Sequence, residues 1–163
     1  MNAVNLSGRR TSRRTRLEMS ALAAALILLV LGVLGFIPGV TADFQALAFS
    51  GHRSKAMLLG VFQVSVLHNL LHLLTGLAGL IMARLPLQSR TFLIGAGVAY
   101  LSLWVFGVWL PQDADVNVVP LNSADNWLHL ALGLGMISLA VAFAREATPD
   151  RSSEGSETSE GGA

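Results

Sequence analysis

Four stretches of the chain, about 20–37, 56–83, 91–110 and 126–144, are almost wholly apolar, and the links between them are short and polar or marked by Pro and Gly. Uncharged apolar runs of about 18 or more residues are long enough to cross a bilayer, because about 20 residues at ~1.5 Å rise span its ~30 Å hydrocarbon core. Each stretch is therefore expected to form a spanning helix. The first stops at Pro38-Gly39, the second lies between Lys55 and Arg84, and the third follows the link Arg84–Arg90 and carries Tyr100, Trp104 and Trp109 toward its end. The fourth follows Asn122-Ser123-Ala124-Asp125, a helix N-cap signal. The pattern predicts an all-α, polytopic membrane four-helix bundle. Its helical domain covers 19–145, between a basic N-tail, 1–18, and an acidic C-tail, 146–163, too poor in apolar residues to order itself.

Two readings compete for the first stretch. Five arginines precede it and Val40-Thr41-Ala42 resembles a cleavage site, as in a secretory signal. Signal h-regions run to about 7–15 residues, however, and this run is longer, so a retained helix is expected. In the link that follows, Phe44, Leu47 and Ala48 could share one face of an interfacial helical turn, or lie in an ordered loop with a few apolar contacts.

Composition sharpens this picture. Only 13% of residues are charged, against about 25% in an ordinary soluble domain, and they cluster in the tails and links. With the N-terminus inside, the cytoplasmic segments hold nine arginines, and the outer links hold only Arg53 and Lys55. The positive-inside rule then places both termini in the cytoplasm. Trp109 and Trp127, at either end of the last outer link, suit an aromatic belt. The lipid bilayer is thus the first partner, with a membrane-protein partner or a second copy as further candidates. A net charge of +1 gives no case for nucleic acid. The absence of cysteine excludes thiol catalysis, disulfides and Cys-ligated metal.

Stretches two and four share a string. Asn69-Leu-Leu-His72-Leu-Leu-Thr-Gly76-Leu77 and Asn126-Trp-Leu-His129-Leu-Ala-Leu-Gly133-Leu134 match at six positions in nine, which suggests two repeated helical hairpins. On a helical wheel, His68, His72, Thr75, Gly79 and Ala83 form one polar and small stripe, and Asp125, His129, Gly133, Ala140 and Ala144 form another. Small residues let membrane helices approach closely, so the two stripes are expected to face each other. Gly95/Gly97 and Gly133/Gly135 fit close packing better than phosphate binding.

His68 and His129 each stand sixteen residues before the arginine that ends their helix, about 24 Å up at ~1.5 Å per residue. With His72 one turn deeper, three imidazoles fall within the membrane, where ionisable groups are costly and suggest function. His68, His72, His129 and Asp125 could bind a metal or move protons, and two facing histidines could ligate haem. The competing reading is that the histidines, with Gln63, Asn69 and Asn126 and the glycines Gly76, Gly79 and Gly133, only pack the helices through interhelical hydrogen bonds. No H-E-x-x-H or other catalytic motif is present, so an enzyme is not expected. No cofactor follows from the residues.

The segments Gly35-Phe-Ile-Pro-Gly-Val-Thr41, Gly60-Val-Phe-Gln-Val-Ser-Val-Leu-His68-Asn69-Leu-Leu-His72 and Asn122-Ser-Ala-Asp125-Asn126-Trp-Leu-His129 resemble those of domain-of-unknown-function family 4383, small bacterial four-span membrane proteins. The likeness covers about 19–143. It implies a retained first helix and a bacterial plasma-membrane location, and it brings no substrate, cofactor or catalytic residue. The leading expectation is a non-enzymatic integral membrane protein with a structural, envelope or stress-related role. The alternative is a small metal- or proton-handling, or haem-binding, membrane protein.

Overall fold

In the computed structural model, which describes residues 13–51, 53–111 and 116–148, four helices dominate: α1, Arg16–Leu34; α2, Val66–Met82; α3, Pro86–Trp109; and α4, Ser123–Ala142. α1, α3 and α4 are long and apolar enough to cross a membrane, and α2 is a shorter apolar helix of 17 residues. The buried core is built from Leu17, Ala21 and Leu28 of α1, Phe92, Leu93 and Tyr100 of α3, and Met136 and Ala140 of α4. The first helix is thus an integral part of the bundle.

Local chemistry moves several boundaries. α1 begins at Arg16 rather than near Ser20, because Thr15 and Glu18 form a capping box: Thr15 Oγ1 accepts from the Glu18 N–H and Glu18 Oε2 accepts from the Thr15 N–H. Part of the expected N-tail therefore belongs to the helix. α3 begins at Pro86, whose missing N–H costs nothing in the first turn, so most of the expected polar link is helical. α4 starts at Ser123 through a second capping box, Asn122 with Asp125. After α4, Ala144–Ala147 make a 3₁₀ turn, and Glu146 Oε2 accepts from the Leu17 N–H, so the first residues of the expected disordered tail are ordered. The remainder of both tails lies outside the described residues.

The largest difference concerns the second apolar stretch. Its first ten residues, 56–65, are not helical. Met57–Leu58 (β2) and Phe62–Gln63 (β3) form a hairpin, and Thr41–Ala42 (β1) adds antiparallel to β2, giving the order β1-β2-β3. The hairpin turns at Leu59 and Gly60, both in the left-handed region with φ of 54° and 70°, which a helix cannot accommodate. Ser65 then caps α2 by accepting from the His68 N–H. The sheet packs Ala56, Leu58 and Val64 against Leu31 and Leu34 at the end of α1, with Leu47 beside them. Phe44–Ala46 is a 3₁₀ turn, and Leu47 packs against this small core, as expected of an ordered loop with a few apolar contacts.

Helix pairing follows glycine. α1 packs along α2, and α3 along α4. α2 and α4, expected to face each other, meet through their histidines, while glycines of both helices seat each hairpin's own partner. A Cβ on Gly76 would lie 2.7 Å from Leu29 Cγ and 2.9 Å from the Ala25 carbonyl oxygen. A Cβ on Gly133 would lie 2.7 Å from Leu101 Cγ and 2.9 Å from the Gly97 carbonyl oxygen. Asn69 sits against Gly35, and Asn126 against Gly107, where it donates to the Gly107 carbonyl at 2.9 Å. In each hairpin the leucine lies six residues, and the small residue ten residues, before the glycine that receives the asparagine. The sequence echo is therefore a repeat of packing, α1–α2 and α3–α4.

The sheet is tied to α4 by two bonds. Asp125 Oδ2 accepts from the Gln63 N–H at 3.0 Å, and Asn122 Nδ2 donates to the Val61 carbonyl at 2.8 Å. The same Oδ2 accepts from the Asn122 N–H. Asp125→Ala strands both donors, and at about 1–2 kcal/mol for each lost bond it is expected to destabilise the protein by roughly 2–4 kcal/mol. Asp125→Asn retains an acceptor and should recover about half of that, in thermal unfolding of the purified protein in detergent.

Candidate functional site

α2 and α4 meet through side chains. His68 lies in the first turn of α2, His72 one turn on, and His129 in the second turn of α4. All three are buried, His129 completely. The rings of His68 and His72 stack with centroids 4.8 Å apart, and His129 lies 5.7 Å from His68 and 6.3 Å from His72. Each histidine offers a ring nitrogen such that the three lie within 4.8 Å of one another.

The hydrogen bonds of these rings are mostly unmade. His68 Nε2, His72 Nε2 and both ring nitrogens of His129 are buried without a partner among the described residues. A buried polar group left unsatisfied costs about 1–3 kcal/mol, so four of them in one place call for an explanation. The exception is informative. His68 Nδ1 lies 3.2 Å from the Gln63 carbonyl, which can only accept. That bond puts the proton on Nδ1 and leaves Nε2, buried without a partner, as a bare lone pair. A backbone carbonyl holding the far side of an imidazole is the usual way a metal-binding histidine is oriented.

Tyr100 of α3 completes the floor. Its ring is 5.9 Å from His72 and 5.5 Å from His129, and the Thr75 side chain is within hydrogen-bonding reach of its hydroxyl. In the sequence Tyr100 reads as one of the aromatics near the end of its stretch. Only its burial, in contrast to Trp109 at 83% exposed, separates it from them. Beside the cluster is a cleft of about 330 Å³ between α2 and α3, lined by all three histidines with Leu71, Thr75, Ala99, Tyr100 and Leu103.

The other expected residues divide. Asp125 stands outside the group of three nitrogens: its Oδ2 is engaged by the sheet and the helix cap, and its Oδ1 is buried without a partner. Gln63 serves the site through its backbone carbonyl, while its side chain donates to the Ser54 carbonyl. Asn69, Asn126, Gly76 and Gly133 pack hairpins, and Gly79 faces Phe92 and Ala25. In the repeat, His72 and His129 are equivalent, and Asp125 takes the place of His68. The metal-type cluster is thus where the two hairpins differ.

His72 is in ring contact with His68, His129 and Tyr100, and Tyr100 also contacts His129.

Three long apolar helices and a histidine cluster buried among the helices define a membrane protein with a buried polar site. The chain belongs to the family described as domain of unknown function (DUF4383), which matches residues 18–142. No curated protein and no solved structure matches it.

Proposed function

We propose that this protein is a non-enzymatic bacterial inner-membrane protein that holds one divalent metal ion, zinc foremost, on His68, His72 and His129. The observation that carries the reading is the convergence of unpartnered ring nitrogens within 4.8 Å, one of them fixed as a lone pair by the Gln63 carbonyl. Zinc–nitrogen bonds of about 2.0–2.1 Å set ligand nitrogens roughly 3.3 Å apart in a tetrahedron, which small ring rotations reach. Three imidazoles and no thiolate suit zinc, with copper and nickel as competitors. The packing-only reading requires interhelical hydrogen bonds that these nitrogens do not make. The non-enzymatic role is supported by the lining of the cleft, which beyond the histidines offers only hydroxyls and apolar groups among the described residues.

The test is a zinc titration of the purified protein in detergent after metal removal. One equivalent is expected to bind per chain. A titration without saturation, or one unchanged in the triple His→Ala variant, sinks the proposal.

The nine-to-two distribution of basic residues supports a cytoplasmic location for both termini, and the high exposure of Trp109 and Trp127 supports an interfacial belt at that end of α3 and α4. A reporter fused after Arg145 should score cytoplasmic, and one inserted at Asp115 external. The reverse pattern contradicts the orientation.

A further inference from the structure

The cleft beside the histidines lies between α2 and α3, with Val119 of the segment before α4 also on its lining. Its exposed rim is formed by Leu71 on α2 and by Ala99 and Ser102 on α3. Ser102 stands seven residues before the end of α3, about 10 Å along the axis at ~1.5 Å per residue. The mouth is therefore on the flank of the bundle, where a bilayer presents acyl chains. Leu71, Ala99, Leu103 and Val119 make its walls apolar, and the unpartnered nitrogens stand at its inner end. Its volume of about 330 Å³ falls in the range of small-molecule sites, about 300–1,000 Å³.

Charge decides what such a cleft would take. Three neutral imidazoles on a divalent ion leave two positive charges in a region of low dielectric, which is costly unless an anion joins them. Among the described residues none supplies it, because Asp125 is outside the group and bonded to backbone N–H groups of β3 and the α4 cap. Zinc with three protein ligands keeps its fourth position for an exogenous group, and carboxylate oxygen is an accepted ligand. An anion arriving from the flank has to travel in the lipid phase, carrying an apolar body that the walls can bury.

Resting on the metal reading above, we propose that the site binds a long-chain carboxylate: the headgroup takes the metal's open position, and the acyl chain lies in the α2–α3 cleft toward the bilayer. The acid leaves its proton to water as a carboxylate oxygen binds the ion.

The test uses the full chain in lipid nanodiscs, loaded with one equivalent of Co²⁺, whose visible d–d absorption reports coordination. Hexadecanoate is expected to change the band saturably, acetate to need more than about tenfold higher concentration because it buries no chain, and hexadecanol to leave the band unchanged. Ala99→Leu and Leu71→Phe, both at the exposed rim, should weaken the hexadecanoate response more than about tenfold while Co²⁺ affinity stays at the parental value. A Co²⁺-loaded protein that ignores hexadecanoate, answers acetate equally, or is indifferent to both rim variants overturns the carboxylate proposal and leaves the metal site standing. Failure to bind Co²⁺ and Zn²⁺ at all overturns both.

Discussion

Removing the His129 imidazole is expected to lower zinc affinity by more than about 100-fold, because the loss of a group that merely orients a ligand already costs about 10–100-fold. His129 is the only contribution of α4 to the cluster, and the two histidines left on α2 present an i,i+4 pair without a third ligand across the bundle. His68→Ala should act similarly. It also frees the Gln63 carbonyl, so a small loss of order in β3 accompanies it. His129→Ala removes a ring in contact with His68, His72 and Tyr100, and a cavity penalty of about 2–4 kcal/mol would accompany the lost affinity. His129→Gln separates the two effects, since it fills most of the space and is a poor zinc ligand. Zinc should raise the thermal midpoint of the parent protein and not that of His129→Gln. Equal stabilisation of both by zinc contradicts the assignment.

The second large effect concerns the glycines that let the hairpins close. Gly133→Ala is expected to destabilise the protein by about 2–3 kcal/mol, at the upper end of overpacking costs. The added Cβ would meet Leu101 at 2.7 Å, which could move, and the Gly97 carbonyl at 2.9 Å, which could not move without shifting α3. Gly135→Ala is the control: two residues away in the same helix, its Cβ would meet open space, and replacing a helical glycine gains up to about 1 kcal/mol. The same contrast holds between Gly97, whose Cβ would strike Ile137, and Gly95, which is open. Since Gly133 follows His129 by one turn and Tyr100 lies on α3, separating these helices should also loosen the histidine group. Thermal unfolding in detergent measures the difference. Equal midpoints for Gly133→Ala and Gly135→Ala would show that the close approach is not made.

Hydrophobic length and charge placement made the helices legible in the sequence, because a backbone crossing lipid must satisfy its own hydrogen bonds and a long apolar run does so as a helix. Where the reading departed from the structure, shorter-range chemistry won. The Thr15–Glu18 capping box and Pro86 were visible signals, hidden beneath the larger contrast between polar tails and apolar runs. The hairpin at 56–65 was masked because a buried strand and a buried helix are equally apolar, and only Gly60, Gln63 and Ser65 broke the run. The histidines were legible through their spacing on one helix face and the shared Asn-x-Leu-His string. Their convergence was legible as well, because the stripes that carry them face each other; hidden was that the glycines of α2 and α4 seat α1 and α3. Asp125 was drawn into the site by its place on the wheel, one turn before His129. Its hydrogen bonds to Gln63 and Asn122 depend on a sheet that the hydropathy pattern does not reveal.

That three imidazoles from two hairpins form one metal centre is tested most directly by X-ray absorption at the zinc edge on the protein loaded with one equivalent of Zn²⁺. The expected spectrum has three imidazole nitrogens at about 2.0–2.1 Å, with the outer-shell scattering of their rings and one further light atom. The ring scattering should fall by a third, with affinity, in His129→Gln. A first shell of oxygens without ring scattering, or a spectrum unchanged by that substitution, contradicts the account.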